Sequence, residues 1–532
     1  MAAQADGAGD KDLQDKMNLF RLHQAWINKA IVASIALLTM ALRLGYGPRT
    51  VDDAFITFRY ARNLAEGAGF VFNLGERVLG TTTPLFTILI AGFYQLRLEP
   101  TWMALLTTSL ADAGTSILIF LIVHRLSRNL IAGWIGASLY SFSTGSITFS
   151  GGGMETGLFV FLTMLSVYLF IQRQSLLAAT SAALATLTRP EGAMVLLVMG
   201  CLYLFRFHRI PWGMIGVSLS LGIPWVLFAT FYFGSPFPQS MIAKESTYAF
   251  PPLTALKSLL GYLVVYTLPT ASTDQTRLVK YGVVILITAL SSMVAVIYRR
   301  QSVIRKQDAP AILWCIPATY LAAYAVANPP VWEWYALPVV PFAIIFLVMG
   351  VTEGGRVLTS RRRRGEAIVS SGLVLLLVAT FVLGVLNTRH VLSADIRSGR
   401  ELVYIAIAQR IAPIARPGDS LATPEIGTLG YYLPKVTILD TQGLVSPSAV
   451  PHRQEVLKKL AATEDFQTLW FASGMVPPSL IYEQKPRFVI APEKVAAMLL
   501  QDRAFLASYR EFLKAHTALM GSSSIIVWQR ME

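Results

Sequence analysis

Residues 368–387 read IVSSGLVLLLVATFVLGVLN, twenty residues in a row without a charged side chain. A helix of about 20 apolar residues is long enough to cross the roughly 30 Å hydrocarbon core of a lipid bilayer. Similar runs recur from residue 30 onward, and of the 532 residues 54% are hydrophobic and only 14% are charged. The sequence therefore predicts a polytopic α-helical membrane protein and excludes a single water-soluble globule.

Clusters of positive charge separate these apolar runs. The net charge is +14, and the basic residues form short groups, such as Arg206 with Arg209 and the run Arg361–Arg364. Because Lys and Arg are enriched in cytoplasmic loops, membrane topology explains these basic groups, and we do not need nucleic-acid binding to account for the positive charge. Placing every group in the cytoplasm predicts eleven spans, with the N-terminus inside and the C-terminus outside. The predicted spans are 28–46, 102–123, 129–148, 156–172, 175–188, 192–205, 211–233, 281–298, 310–327, 336–353 and 368–387.

The segments around the spans differ from them in composition. Residues 1–27 are small, polar and charged, which predicts a disordered cytoplasmic tail in front of a membrane module over 28–387. Residues 47–101 form its first external loop. Two apolar stretches, 84–96 and 256–268, are too short to span and are predicted to be helices in the outer membrane interface.

The remaining residues, 388–532, have a different pattern. Short apolar segments at 436–439, 487–491 and 524–528 are typical of strands, and residues 492–507 show helical periodicity. We therefore predict a small α/β domain outside the membrane.

Two adjacent aspartates, Asp52 and Asp53, follow the first span and precede an amphipathic helix predicted over 54–66. One carboxylate would be enough to cap this helix, so a structural role accounts for only one of the two. A carboxylate beside a lipid headgroup can act as a general base, and Arg59 and Arg62 on the same helix can bind a phosphate. The pattern favours a functional role for the pair.

Further polar candidates lie in the predicted external loops. They are Glu155 after three glycines, Arg189 and Glu191 in a tight turn, Lys244, and Glu333 with Tyr335. Structural explanations exist for each, because carboxylates favour helix N-termini, arginines extend toward the membrane surface, and aromatic residues form interfacial belts. The predicted spans carry almost no ionisable groups at mid-depth, which disfavours an ion pump or a proton-coupled transporter.

Several short motifs follow one another in the order that resembles GT-C membrane glycosyltransferases. They are Asp52-Asp53-Ala54, Gly75-Glu76-Arg77-Val78 to Thr83-Pro84-Leu85, Gly153-Met154-Glu155-Thr156-Gly157, Thr188-Arg189-Pro190-Glu191-Gly192, the loop from Gly234 to Lys244, and Tyr335 with Pro338. Within this superfamily the sequence is most similar to the mycobacterial terminal β-arabinofuranosyltransferases and their uncharacterised bacterial relatives. It differs at Pro238-Gln239-Ser240, where the family is expected to have Pro-Asn-Thr, and this difference leaves the sugar open.

The resemblance implies an inverting enzyme of the bacterial plasma membrane. Such an enzyme moves a sugar, here arabinofuranose or a hexose such as mannose, from a polyprenyl-phosphate donor in the outer leaflet to a glycan or lipid-linked acceptor of the cell envelope. Its active site lies on the extracytoplasmic side. No cofactor is implied, although Asp53 and Glu155 together could bind a divalent cation.

Residue roles also follow from the resemblance. Asp53 becomes the base that removes the acceptor proton, with Asp52 as its neighbour and Glu155 orienting sugar hydroxyls. The cations for the lipid phosphate are Arg59, Arg62, Arg189 and Lys244, and the remaining substrate-binding candidates are Glu191, Glu333 and Tyr335. In the tail, Glu425, Tyr431, Tyr432 and the turn 440–444 are expected to cover the site or to bind a glycan acceptor.

Two other classes of function stay open at this point. A transporter or flippase of a lipid-linked or small polar substrate would move its substrate without a covalent change. A receptor or assembly protein would leave Asp53 and Glu155 apart from each other and use the tail to bind a partner.

Overall fold

The computed structural model describes residues 29–247, 251–267, 282, 309–359, 365–393, 399–461, 474–517 and 522–531. The predicted tail over 1–27 lies outside the described residues, and so does the predicted span 281–298 apart from residue 282.

The described residues up to Ser393 form a bundle of helices. Their bounds are α1 Lys29–Tyr46, α2 Asp52–Ala65, α3 Pro84–Gln95, α4 Pro100–Ser127, α5 Leu130–Ser141, α6 Thr144–Gly151, α7 Thr156–Ile171, α8 Ser175–Thr188, α9 Gly192–Phe207, α10 Trp212–Phe233, α11 Gln239–Thr247, α12 Thr254–Thr267, α13 Ala309–Ala327, α14 Val340–Thr359 and α15 Gly365–Ser393, with a 3₁₀ turn at Glu333–Ala336. Among the described residues, α1, α4, α10 and residues 367–386 of α15 can cross a membrane by length and composition, and six further apolar helices are shorter.

The predicted helical membrane architecture is thus confirmed, while the number of spans and their orientation stay predictions. One predicted span, 129–148, is wrong as a single helix, since α5 ends at Ser141 and α6 starts at Thr144. Ser143 lies between them, and its side chain accepts a hydrogen bond from the Ser146 amide at 3.4 Å. A serine that caps a new helix in this way interrupts the preceding one.

All three predicted non-spanning helices are present. The amphipathic helix predicted over 54–66 is α2, and the short apolar stretches are α3 and α12. Pro84 is the first residue of α3, a position where a fixed φ and a missing N–H cost nothing. α2 packs along α3, so the segment that carries the two aspartates is held against the bundle.

The C-terminal part folds around one sheet. Its elements are α16 Gly399–Ile411, β1 Ser420–Thr423, α17 Gly427–Tyr432, β2 Thr437–Asp440, α18 Ala449–Ala461, α19 Pro478–Gln484, β3 Phe488–Pro492, α20 Ala497–Leu500, α21 Arg503–Ser508, β4 Tyr509–His516 and β5 Ser524–Arg530. The strand order is β2-β1-β3-β5-β4, with β2, β1 and β3 parallel and β5 antiparallel to both β3 and β4.

Three of these five strands were predicted at these positions. The helix predicted over 492–507 is wrong, because β3 runs to Pro492 and two short helices follow it. Asp502 separates them, since its carboxylate accepts hydrogen bonds from the amides of Ala504 and Phe505 and so begins α21.

Buried charges of α2 attach the C-terminal part to the helical bundle. The Asp52 carboxylate accepts hydrogen bonds from the amides of Gly427 (3.0 Å) and Thr428 (2.7 Å) at the start of α17. Two turns further along α2, the Arg59 guanidinium donates to the carbonyl oxygens of Gly430 (2.7 Å) and Val436 (3.0 Å). Asp52 is only 2% exposed and Arg59 only 1%, so this interface excludes water.

We expect Gly427→Ala to weaken this interface, because a Cβ at position 427 would overlap the carbonyl oxygen of Asp52. The cost should be about 1–3 kcal/mol, the range for overpacking or for an unsatisfied buried hydrogen-bonding group. Thermal unfolding in detergent, together with limited proteolysis between residues 393 and 420, measures the effect. The matched control is Gly474→Ala, where an added Cβ meets no atom within 4 Å; equal behaviour of the two variants would contradict this account of the interface.

Candidate active site

Close contact between two loops brings Asp53 and Glu155 to the same part of the molecule. The segment before α2 pairs with the glycines after α6: the Arg49 amide donates to the Gly151 carbonyl (2.7 Å) and the Val51 amide to the Gly152 carbonyl (3.0 Å). Gly153 has a φ of +75°, a backbone conformation that side chains other than glycine rarely adopt. A Cβ there would also lie 3.3 Å from the Phe58 ring, so glycine permits the close approach of the two loops.

Asp53 is the unpaired member of the two aspartates. Asp53 is exposed. In the part of the chain that the structure describes, its carboxylate forms no hydrogen bond or ion pair. Burial by the surrounding protein nevertheless raises the pKa of this carboxyl, while the positive charge of Lys244 lowers it. The Asp53 side chain thus reaches solvent at a place where surrounding protein atoms still desolvate it, and we call this region the cleft.

Glu155 and Glu191 share Arg189 next to this cleft. The Arg189 guanidinium lies 2.8 Å from Glu191 Oε1 and 3.6 Å from Glu155 Oε1, and the residue is 4% exposed. Tyr324 also donates to Glu191 Oε1 at 2.7 Å. Burial raises the pKa of Glu155, and the negative charges of Glu191 and Asp53 act in the same direction against the opposing charge of Arg189. Glu155 therefore lies within electrostatic range of Asp53.

Tyr335 connects Arg189 with Lys244. Its ring centre is 4.9 Å from the Arg189 guanidinium, and its hydroxyl is 3.5 Å from Lys244 Nζ. Lys244 Nζ also lies 5.1 Å from the centre of the Trp332 ring. Lys244 and Glu155 each lie within electrostatic range of Asp53, and Tyr335 links Lys244 to Arg189, the partner of Glu155. Cations and carboxylates in one region suit a substrate that carries both a phosphate and hydroxyl groups.

The helix that carries Lys244 is held by the C-terminal part. α11 packs on α18, and the Gln239 side chain donates to the Gly443 carbonyl at 3.2 Å. The turn 440–444 therefore fixes α11, which places Lys244 near Asp53. Asp440 itself is used inside this turn, where its carboxylate accepts hydrogen bonds from the amides of Gln442 and Val445.

Four of the sequence candidates lie elsewhere or are occupied. Asp52 and Arg59 serve the interface described above. Arg62 donates to the Tyr431 carbonyl (2.9 Å) and stacks on the Tyr431 ring, nine residues or about 13 Å along α2 from Asp53. Glu333 accepts a hydrogen bond from Tyr266 at 2.5 Å, and in the described part of the chain no contact joins it to Asp53 or Arg189.

Sequence reasoning missed two buried charge clusters. Arg400 and Glu401 in α16 reach the cleft from the C-terminal part, and the Asp52 amide donates to Glu401 at 3.1 Å across 349 residues of sequence. Inside the bundle, Arg43 of α1 pairs with Asp112 of α4 at 3.0 Å, with both residues at most 1% exposed. The expectation that the spans carry almost no ionisable groups is therefore wrong here. Serine and tyrosine side chains satisfy this pair, so it holds helices together.

Within the described ranges, no group of three or more His, Cys, Asp or Glu side chains is arranged to hold a metal ion.

No protein-family model matches the chain. The fold, in contrast, is similar to that of solved structures. The crystal structure of ArnT from Cupriavidus metallidurans bound to undecaprenyl phosphate superposes with a TM-score of 0.61 over 95% of this chain and 98% of that one, at 12% identity. Its apo form gives a TM-score of 0.57 over the same shares of the two chains, also at 12% identity.

The chain has a GT-C fold. A similarity in sequence agrees with this: the chain is 28% identical over 230 aligned residues to the terminal β-(1→2)-arabinofuranosyltransferase of Corynebacterium glutamicum. The match covers 37% of this chain and 33% of the relative. The chain thus matches about one third of the length of this curated relative. Together the two findings confirm the resemblance to GT-C glycosyltransferases that the motif order predicted.

We expect Arg189→Met to destabilise the protein strongly, because it leaves Glu155 and Glu191 largely buried without their shared counter-charge. Removing one partner of a buried ion pair costs about 3–5 kcal/mol. Thermal unfolding in detergent measures the loss. The control is Arg410→Met, an exposed arginine on α16, which should stay within about 0.5 kcal/mol of the wild type; a similar midpoint for both variants would argue against the buried charge cluster.

Proposed function

We propose that this protein is an inverting glycosyltransferase that moves a sugar from a polyprenyl-phosphate donor to a hydroxyl of a cell-envelope acceptor. The observation that carries the proposal is the open carboxylate of Asp53 in a cleft that also holds Lys244, Arg189 and Tyr335. The similarity to a terminal arabinofuranosyltransferase and the fold shared with ArnT support it.

Asp53 acts as the general base in this reaction. The acceptor hydroxyl gives its proton to the carboxylate while its oxygen attacks the anomeric carbon from the face opposite the phosphate. The bond between that carbon and the phosphate oxygen breaks, and polyprenyl phosphate leaves with the electron pair, which inverts the anomeric centre. A base works best when its pKa approaches the working pH, so the raised pKa of Asp53 favours this role.

Lys244 and Arg189 are the proposed ligands of the donor phosphate. Both are cations next to Tyr335, and charge-assisted hydrogen bonds to phosphate are the strong ones in proteins. Arg59 is left out of the proposed phosphate site, because its guanidinium donates to three backbone carbonyls and the Asn73 side chain. Arg62 is left out because of its distance from Asp53. Glu155 and Glu191 orient Arg189 and contact sugar hydroxyls.

The sugar proposed first is arabinofuranose, on the strength of the similarity to the arabinofuranosyltransferase. A hexose such as mannose is the alternative. The proposed place of the reaction is the extracytoplasmic side of the bacterial plasma membrane, where lipid-linked donors and envelope acceptors meet. The phosphate leaves as an anion and needs no protonation, so the proposed chemistry calls for no cofactor.

The experiment that tests the proposal follows product mass with purified protein in detergent. The donors are synthetic polyprenyl-phosphate sugars, including arabinofuranose and mannose, with simple glycan acceptors, in the presence and absence of a divalent-metal chelator. We expect one donor to be consumed, and Asp53→Asn to lower transfer by about 10²- to 10⁴-fold, the contribution of a general base. Glu66→Gln, an exposed carboxylate just beyond the other end of α2, should retain activity.

Full activity of Asp53→Asn would refute the assigned base. Consumption of no donor by folded protein, together with substrate flux in proteoliposomes, would replace the proposal with a transporter.

The pH dependence of transfer tests the charges around Asp53. A base must be ionised, so kcat/KM falls as the pH drops through the pKa of Asp53, and burial places this acid limb above that of an ordinary aspartate. Lys244→Met removes the charge that lowers this pKa, so the limb moves to higher pH. Loss of the phosphate contact should also reduce kcat/KM by about 30- to 1000-fold, corresponding to roughly 2–4 kcal/mol.

The control for this variant is Lys257→Met, an exposed lysine on α12. Its pH profile should match that of the wild type. An unmoved acid limb in Lys244→Met would show that Lys244 does not act on the base.

A further inference from the structure

The C-terminal part brings a further carboxyl group, that of Glu425, within electrostatic range of Asp53. Asp52 adjoins Asp53 in α2, and its carboxylate bonds to Gly427 and Thr428, which begin two residues after Glu425. The Asp52 amide donates to Glu401 in α16. These contacts place Glu425, Glu401 and Arg400 directly beside the start of α2.

The three side chains use their hydrogen-bonding capacity unequally. Arg400 donates twice to Glu401 Oε1, at 2.7 Å and 3.1 Å, and reaches Glu425 Oε2 only at 3.5 Å. Glu401 is thus committed to Arg400 and to the Asp52 amide. Glu425 has one long contact, and among the described residues its Oε1 has no hydrogen-bond partner, although the side chain is only 13% exposed.

Electrostatics makes Glu425 complementary to Asp53. Burial raises the pKa of Glu425 to about 8, with Arg400 opposing and the negative charges of Asp52, Asp53 and Glu401 adding to the rise. A carboxyl group that retains its proton near neutral pH donates a hydrogen bond, whereas the ionised carboxylate of Asp53 accepts one. A donor and an acceptor within electrostatic range of each other match two neighbouring hydroxyl groups of a sugar.

We propose that Glu425 and Arg400 form the binding subsite for the acceptor glycan, where Glu425 hydrogen-bonds the hydroxyl next to the one that Asp53 deprotonates. The ligand class is a polyhydroxylated acceptor with two adjacent hydroxyls. This inference rests on the proposed glycosyl transfer and adds that the C-terminal part supplies acceptor contacts, while the donor phosphate is bound by residues of the helical bundle.

The experiment combines two variants with two acceptors. Glu425→Ala and Glu425→Gln are compared with the wild type on two acceptors. One is a simple glycan acceptor that carries both adjacent hydroxyls, and the other is its deoxy form, which lacks the hydroxyl next to the reacting one. For Glu425→Ala we expect an acceptor KM about tenfold higher with the donor KM within about twofold, since tenfold corresponds to about 1.4 kcal/mol, within the range of one net hydrogen bond. Glu425→Gln keeps a donor and should recover most of the affinity.

The deoxy acceptor separates a contact from a structural role. With the wild type, the KM for the deoxy acceptor should be roughly tenfold higher than that for the acceptor with both hydroxyls. With Glu425→Ala, the two acceptors should have the same KM, because the amino-acid change and the missing hydroxyl remove the same interaction. The control variant is Glu455→Ala. Glu455 is a surface residue paired with Lys459, so this variant should behave as the wild type. If the variants do not fold, the wild type on the deoxy acceptor still tests the proposal.

Each outcome bears on one claim. If the wild type and Glu425→Ala discriminate equally against the deoxy acceptor, the proposed acceptor subsite is wrong. The same conclusion follows if the wild type has the same KM for both acceptors. Neither result contradicts the proposed glycosyltransferase activity. A wild type that transfers no sugar from any donor overturns the proposed function, and the subsite with it.

Discussion

The two hydrogen bonds from Gly427 and Thr428 to the Asp52 carboxylate are the contact on which the rest of the site depends. Successive residues of an α-helix point about 100° apart, since each turn takes 3.6 residues. Asp52 and Asp53 therefore cannot accept hydrogen bonds from the same two amides. Asp52 is bound at the start of α17, whereas the Asp53 carboxylate has no such partner among the described residues, and the same docking places Arg400 and Glu425 within electrostatic range of Asp53.

Desolvated charged groups in this protein have two different roles, and their hydrogen-bond partners show which role each group has. Arg59 and the Arg43–Asp112 pair are almost completely buried and have hydrogen-bond partners, so they hold segments together. Asp53 and Glu425 are desolvated but keep carboxylate oxygens without partners in the described part of the chain. A desolvated charged group that has no partner inside the protein is a candidate for binding a substrate.

Local patterns predicted the helices well, because an apolar run and an amphipathic period are properties of consecutive residues. The bounds of α2, α3 and α12 and three of the five strands follow from such patterns. The proximity of Glu155 to Asp53 agrees with the resemblance. The role of Arg59 could not be predicted in this way, since its carbonyl partners Gly430 and Val436 lie 371 and 377 residues away. An arginine on an external amphipathic helix has the same local pattern whether it binds a phosphate or a distant backbone.

In the proposed site the two substrates are coupled through Lys244. Its charge lowers the pKa of Asp53 against the effect of burial, so in the absence of donor the carboxylate is a weaker base. A donor phosphate bound to Lys244 places negative charge next to this cation and cancels part of its effect on Asp53. The pKa of Asp53 therefore rises when the donor is bound, and its basicity increases at the stage when an acceptor proton has to be removed. The same electrostatic neighbour thus binds the leaving group and adjusts the base, which makes deprotonation of the acceptor more favourable with the donor in place than without it.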